Sequence, residues 1–120
     1  NPQPTNHQKR AFMKLHTVRY DAKKLVVGTP EYEKYKKATS IPNVIYFFYN
    51  NDECLYIGET GKSLFDRTFK NTPCHFEKEW FAKGNIIYQL ELDKRIDRIA
   101  RGTLEATFIL AFRPKNNKKA

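Results

Sequence analysis

The sequence predicts an α+β fold in which a small three-stranded antiparallel sheet is flanked by helices. The segment 44–58 reads as a β-hairpin, with two stretches of alternating side chains around a short polar turn. A third alternating stretch covers 85–92, and apolar residues recur at helical spacing over 93–112. The predicted organisation is an N-terminal arm with a short helix over residues 1–42, followed by the sheet-containing domain over 43–120.

The N-terminal part of the chain contains one clear element. Asn1 to Arg10 is polar, includes two prolines and has no periodicity, which is typical of a disordered arm. The pattern over 11–27 is mixed and assigns no element. Thr29 and Pro30 form a helix start, with a capping hydroxyl followed by proline at the first helical position, and predict a short charged helix over 31–38.

The hairpin carries two tyrosines that we expect to face the same way. Asn50-Asn51-Asp52 supplies the turn, because these short polar side chains tolerate left-handed backbone. A three-residue loop would place Tyr46 directly opposite Tyr56, and Ile45 opposite Ile57. The predicted core face then carries Ile45, Phe47, Leu55 and Ile57, and the other face carries both tyrosines with Cys54 and Gly58.

A short helix is predicted over 63–70. Ser63 is its cap, with the carboxylate of Asp66 three residues later. Arg67 lies on its flank and can reach back over the hairpin, although a solvated surface arginine is the common alternative. The residues expected to be buried are Leu64, Phe65 and Phe69.

The connection between hairpin and helix, Gly58-Glu59-Thr60-Gly61-Lys62-Ser63, is similar to a phosphate-binding P-loop but does not fit one. That motif needs four residues between its glycines so that the backbone can surround a phosphate, and here there are two. We expect a tight strand-to-helix connection, with Lys62 facing a phosphate backbone.

A second short helical segment and a third strand follow. Cys74 and His75 are adjacent and have no second pair at metal-ligand spacing, which is weak evidence for zinc. His75 is better interpreted as a helix cap or a phosphate contact. In the third strand, Ile86, Tyr88, Leu90 and Leu92 make the predicted core face, and Ile87, Gln89 and Glu91 the other.

The last helix is predicted to start at a cap on Asp93 and to end near Phe112. Glu105 lies outside the centre of its apolar stripe and could form a surface pair with Arg101 four residues earlier. Apolar neighbours and Gly102 one turn back favour a role in a site instead. The stripe expected to be buried consists of Ile96, Ile99, Ala100, Thr103, Leu104, Thr107, Phe108 and Ala111.

The composition suggests a polyanionic partner. Lysine and arginine number 22 against 13 acidic residues, a net charge of +9, which favours nucleic acid over a membrane surface. Two cysteines do not make a disulfide framework, no apolar run could cross a membrane, and the start lacks a signal-peptide pattern. We therefore expect a cytoplasmic protein, a monomer or weak dimer, that does not bind membranes.

Together these positions resemble the GIY-YIG nuclease family. The first signature appears as Val44-Ile45-Tyr46, with valine in place of the family's glycine, and the second as an intact Tyr56-Ile57-Gly58. Arg67 nine residues after Gly58, Glu105 in the last helix, and a Pro114-x-x-Asn117 ending match the remaining positions. The resemblance covers roughly 43–117, and the family fold is the predicted sheet and helices.

The resemblance implies a divalent-metal-dependent DNA endonuclease. Tyr46 would take the nucleophile's proton or orient water, Tyr56 would hydrogen-bond within the site, and Arg67 would clamp the scissile phosphate. Glu105 would be the single carboxylate on Mg²⁺, for which Mn²⁺ should substitute; Glu59 and Asp66 are interpreted as structural. The alternative is a basic nucleic-acid-binding module that keeps the fold without turnover.

The remaining positions concern nucleic-acid contacts. Asn117 matches the family's terminal asparagine, although Asn116 could substitute for it. The basic tail from Lys115 to Lys119 could face phosphate or be merely solvated. The expected contacts to DNA, whether single- or double-stranded, are Lys62, His75, Lys115 and Asn117, with Gly58 in a structural role.

Overall fold

A computed structural model describes residues 12–117 of the chain. The predicted arm at Asn1–Arg10 and the last two residues of the basic tail, Lys118 and Lys119, lie outside this range. The elements in chain order are β1 (Met13–Arg19), a 3₁₀ turn (Ala22–Lys24), α1 (Pro30–Ala38), β2 (Val44–Asn50), β3 (Glu53–Thr60), α2 (Leu64–Phe69), a second 3₁₀ turn (His75–Glu77), α3 (Glu79–Lys83), β4 (Ile86–Leu92) and α4 (Arg98–Phe112).

The predicted α+β class is confirmed, but the sheet has four strands rather than three. All neighbouring strands are antiparallel, in the order β1-β4-β2-β3. The additional strand, β1, comes from the segment to which the sequence assigned no element, and it pairs with β4 from Met13–Leu92 to Arg19–Ile86. The sheet therefore draws one strand from residues 1–42 and three from residues 43–120.

The predicted hairpin register is wrong by two residues. Tyr46 lies opposite Gly58, and Tyr56 lies opposite Phe48. The loop has two residues instead of three, because Asn50 pairs with Glu53, and a bulge then shifts the register between Phe48 and Tyr49. A register shift of two residues leaves each side chain that lies farther from the turn than the bulge on its predicted face. The two tyrosines therefore still lie on the same side.

The bulge changes the faces of two residues nearer the turn. Leu55 was predicted on the Ile45 face, but it packs in the same cluster as Tyr46. Cys54 was predicted beside the tyrosines, but it packs on the Ile45 and Phe47 side. The extra residue in β3 breaks the alternation at this point, which explains both exchanges.

Both faces of the sheet are covered. One face, together with α1, α2 and α3, encloses an aromatic cluster that includes Tyr35, Phe48 and Phe81. The other face packs against α4. The single core face predicted for β4 is therefore incomplete, because Ile87 and Gln89, assigned to the opposite face, are both fully buried.

Two helix starts are confirmed and one is wrong. The side chains of Thr29 and Ser63 accept hydrogen bonds from the amides three residues later, at 3.2 Å each. The last helix begins after Asp97, whose side chain accepts from the amide of Ala100 at 2.9 Å. Asp93, the predicted cap, instead accepts hydrogen bonds from the backbone and guanidinium of Arg95.

The buried side of α4 is also rotated from the predicted stripe. Ile99, predicted to be buried, is 76% exposed, and Thr103 and Thr107 are exposed as well. Arg101 is buried, and Leu104, Phe108 and Ile109 pack against the sheet. The observed buried side differs from the predicted stripe because the helix turns the charged residue Arg101 inward. Within residues 12–117, no helix is long and apolar enough to span a bilayer.

Candidate active site

A cleft of about 430 Å³ opens where the hairpin, α2 and α4 meet. Four residues that the sequence singled out line it, and each comes from a different element: Tyr46 from β2, Tyr56 from β3, Arg67 from α2 and Glu105 from α4. The fold brings together two phenols, a guanidinium and a carboxylate whose positions in the sequence are up to 59 residues apart. The other lining residues are Gly58, Glu59, Thr60, Gly61, Arg98 and Arg101.

The two tyrosines are held close together by the strands that carry them. Their ring centroids are 6.5 Å apart with an interplanar angle of 28°. Gly58 lies directly opposite Tyr46, and a Cβ added there would overlap the Tyr46 ring. The glycine of the second signature therefore makes room for the phenol of the first, which explains its structural role.

The Tyr46 hydroxyl has a partner that the sequence did not predict. It lies 2.7 Å from Nε2 of His75, a hydrogen bond within the buried interior. His75 was predicted to be a helix cap or a phosphate contact. The cap prediction is wrong, because Cys74 occupies the position before the 3₁₀ turn, and the His75 side chain is 2% exposed beside Tyr46, Tyr56 and Trp80.

Both members of this pair are uncharged at neutral pH. Burial raises the pKa of Tyr46 well above its ordinary value of about 10, and Arg67 nearby offsets only part of the effect. Burial, followed by the charges of Arg67 and Lys78, lowers the pKa of His75 to about 3. A standing phenolate at Tyr46 is thus disfavoured.

The two carboxylates that line the cleft, Glu59 and Glu105, differ in their hydrogen bonding. Glu59 accepts a charge-assisted hydrogen bond from Nε of Arg101, and Nη1 of Arg101 donates to Oδ1 of Asn43 at 2.7 Å. The predicted alternative of an Arg101–Glu105 pair is absent from the ion pairs among residues 12–117. Burial and then the charge of Glu59 raise the pKa of Glu105. Glu105 is the carboxylate left to act in the cleft.

The C-terminal segment is tied to β3. The Asn117 side chain accepts from the amide of Ile57 and donates to its carbonyl, both at 2.8 Å. The amides of Lys115 and Asn116 donate to the carbonyls of Cys54 and Leu55. The side chain of Asn117 was predicted to contact nucleic acid. Both of its polar atoms are instead hydrogen-bonded to the strand that carries Tyr56, and they position that strand.

The predicted basic contacts lie outside the cleft. Lys62 and Lys115 are both exposed, and neither lines the cavity. Within residues 12–117 their backbone amides are bonded to Thr60 Oγ1 and to the Cys54 carbonyl respectively. Their side chains remain available to solvent or to a phosphate backbone.

The donor set of the cleft suits a hard cation with few protein ligands. Among the described residues, no three His, Cys, Asp or Glu side chains are grouped as a metal cage would require. A lone half-buried carboxylate, Glu105, is compatible with Mg²⁺, which retains several waters and commonly takes one or two carboxylates plus substrate oxygens. Nε2 of His75, the residue considered for zinc together with Cys74, is hydrogen-bonded to Tyr46.

The sequence did not assign Arg98 or Arg101 to the cleft, and it gave His75 a different role. Arg98 and Arg101 line it, and His75 supports Tyr46 from behind. A signal for the arginines was present, because Arg98, Arg101 and Glu105 are spaced by three and then four residues and so share one helix face. The contact between His75 and Tyr46 left no such signal in the sequence, since 29 residues separate the two.

No family model, curated protein or solved structure matches the chain. The cleft is accordingly interpreted from its own geometry and chemistry.

Proposed function

We propose that the protein is a divalent-metal-dependent endonuclease that hydrolyses DNA phosphodiester bonds in the GIY-YIG manner. The observation that carries the proposal is the meeting of Tyr46, Tyr56, Arg67 and Glu105 in one cleft. Phosphodiester hydrolysis needs positive charge at the phosphoryl oxygens, a positioned water and a cation site. These four side chains supply those requirements at one place, and the net charge of +9 favours a polyanionic substrate.

Arg67 binds the scissile phosphate. Its planar, permanently charged fork pairs two phosphoryl oxygens and stabilises the negative charge that develops on them. Glu105 would hold Mg²⁺, or Mn²⁺ in its place, and the bound ion would add Lewis-acid stabilisation of the phosphoryl oxygens. Arg101 positions Glu105 indirectly, because it anchors the preceding turn of α4 to Glu59 and Asn43.

Tyr46 orients the attacking water, and His75 holds the phenol. The water donates a hydrogen bond to Tyr46 Oη, while the Tyr46 hydroxyl donates its own hydrogen to Nε2 of His75. As the water oxygen bonds to phosphorus and the bond to the leaving oxygen breaks, the water proton passes to solvent and the leaving oxygen takes a proton from solvent. No phenolate forms at Tyr46 and no imidazolium at His75, both of which burial disfavours. The arrangement requires the His75 tautomer in which Nδ1 carries the hydrogen.

The test is cleavage of plasmid and single-stranded DNA in Mg²⁺, Mn²⁺ or EDTA, comparing wild type with Arg67→Ala. Arg19→Ala, which removes an exposed arginine from β1, is the matched control. We expect metal-dependent cutting in wild type and the control, and a loss of about a hundredfold or more in Arg67→Ala. Equal cutting by Arg67→Ala would contradict the assignment.

A non-catalytic nucleic-acid-binding module is the second candidate, favoured by the net charge alone. It predicts salt-sensitive DNA binding without any cutting in the same assay.

A further inference from the structure

A second cavity, of about 390 Å³, adjoins the catalytic cleft. Both cavities are lined by Tyr56, Arg67 and Glu105, so they meet at these residues. A phosphate held by Arg67 would therefore have a second compartment beside it. The lining residues on that side include Pro73, His75, Lys78, Trp80, Ile109 and Asn116.

One residue that lines this compartment, His75, has a buried polar atom that lacks a partner. Nδ1 of His75 makes no hydrogen bond with any described residue, although the His75 side chain is almost fully buried. An unsatisfied buried donor or acceptor costs about 1–3 kcal/mol, so a ligand that supplies the missing partner is favoured. His75 is uncharged at neutral pH, and a neutral polar group of a ligand is therefore the complementary partner.

The rest of the lining is mixed in character. The Asn116 side chain has no hydrogen bond among residues 12–117, while its backbone amide is fixed by the Leu55 carbonyl at 2.8 Å. Pro73 and Ile109 add apolar surface, and Lys78 adds a positive charge. Apolar walls with a few fixed neutral hydrogen-bonding groups are how proteins hold a nucleobase that has left its stack.

We infer that this compartment binds one unpaired nucleobase of the nucleotide next to the scissile phosphate. The inference rests on the proposed function and deepens it, because a base inside a duplex cannot enter a compartment beside its own backbone phosphate. The preferred substrate is then single-stranded DNA, or a duplex with an unpaired nucleotide at the cut. Nδ1 of His75 and the amide of Asn116 meet the polar edge of the base.

Trp80 provides a direct binding signal that needs no catalysis. It is the only tryptophan in the sequence, it lines the compartment, and its ring stacks on Tyr56 with centroids 4.1 Å apart. The measurement is Trp80 fluorescence of the Glu105→Gln protein in EDTA, titrated with thymidine 5′-monophosphate and, separately, with deoxyribose 5-phosphate. We expect a saturable change with the nucleotide and at least about fivefold weaker binding of the sugar phosphate, the equivalent of one lost hydrogen bond.

Asn116→Ala gives the second arm, and Asn50→Ala, an exposed asparagine at the end of β2, is its matched control. We expect Asn116→Ala to weaken nucleotide binding by about fivefold and Asn50→Ala to leave it unchanged. Equal affinity for the nucleotide and the sugar phosphate would mean that only backbone is bound, and would overturn the inference. No saturable signal would overturn it as well.

The cleavage assay separates this inference from the proposed function. Faster cutting of single-stranded than of matched duplex DNA, reduced when an abasic residue adjoins the cut, supports both. Metal-dependent cutting that ignores strandedness and abasic residues would overturn the base compartment and leave the nuclease proposal intact. Nucleotide binding without any cutting would do the reverse.

Discussion

The two sides of α4 differ in a way that reverses the usual pattern for a surface helix. From Ile99 to Phe112 the helix contains only two charged residues, Arg101 and Glu105, and both face inward and line the cleft. The outward side is apolar at its ends, with Ile99 76% and Leu110 71% exposed. The helix therefore departs from its usual pattern at the cleft, where the proposed function needs these charges.

The contrast between inward and outward positions predicts that breaking a buried ion pair lowers the free energy of unfolding much more than breaking an exposed one. Arg101→Met should lower the free energy of unfolding by about 2–3 kcal/mol, because it leaves the carboxylate of Glu59 and Oδ1 of Asn43 without their partner. Lys83→Met breaks the exposed pair with Glu79 and should cost much less, because solvent screens that pair. Chemical denaturation of both variants measures the difference. Equal costs would remove Arg101 from the anchoring role.

A smaller effect is expected from the buried imidazole and depends on pH. The pKa of His75 is about 3 in the folded chain against about 6.5 in the unfolded chain. Between these values the unfolded state binds the extra proton, so stability falls as the pH drops from 6.5 towards 3. At about pH 5 the loss from this group is roughly 2 kcal/mol.

His75→Gln removes that titration and should flatten the dependence. Unfolding at pH 7 and pH 5, for wild type and His75→Gln, measures the change, and His16→Gln, which removes a partly exposed imidazole on β1, is the control. An unchanged pH dependence in His75→Gln would mean that the imidazole titrates normally and is not held neutral beside Tyr46.

The outward side of α4 should respond least. Leu110→Gln replaces a side chain that is mostly in solvent and should change the free energy of unfolding by no more than about 0.5 kcal/mol. A loss of several kcal/mol on denaturation would show that this side is packed in solution and that the contrast between the two sides of the helix is false.

Local patterns allowed part of this structure to be predicted. The caps at Thr29 and Ser63 depend on neighbouring residues, and the shared face of Tyr46 and Tyr56 survives a register error of two, so both predictions held. The strand β1 depends on pairing with β4, about 75 residues away, and its exposed Leu15 gives no core pattern. Such non-local pairing leaves little trace in one sequence.

The site was predictable to a similar degree. Glu105 was singled out, yet the buried stripe predicted for its helix was rotated, because periodicity rules assume that charges point outward. The His75 contact depends on how the 3₁₀ turn at His75–Glu77 lies over the hairpin, which no local pattern encodes. Long-range contacts around the cleft thus override local rules at these positions.

On the proposed function, the inward side of α4 carries the metal-binding carboxylate of a nuclease. The most direct measurement is the single-turnover rate of DNA cleavage in Mg²⁺ for Glu105→Gln and Leu110→Gln, which place the same new side chain on opposite sides of one helix. We predict a loss of about a hundredfold or more for Glu105→Gln, with DNA binding within a few fold of wild type, and a near-normal rate for Leu110→Gln. A Glu105→Gln protein that cuts DNA as fast as Leu110→Gln would contradict the account.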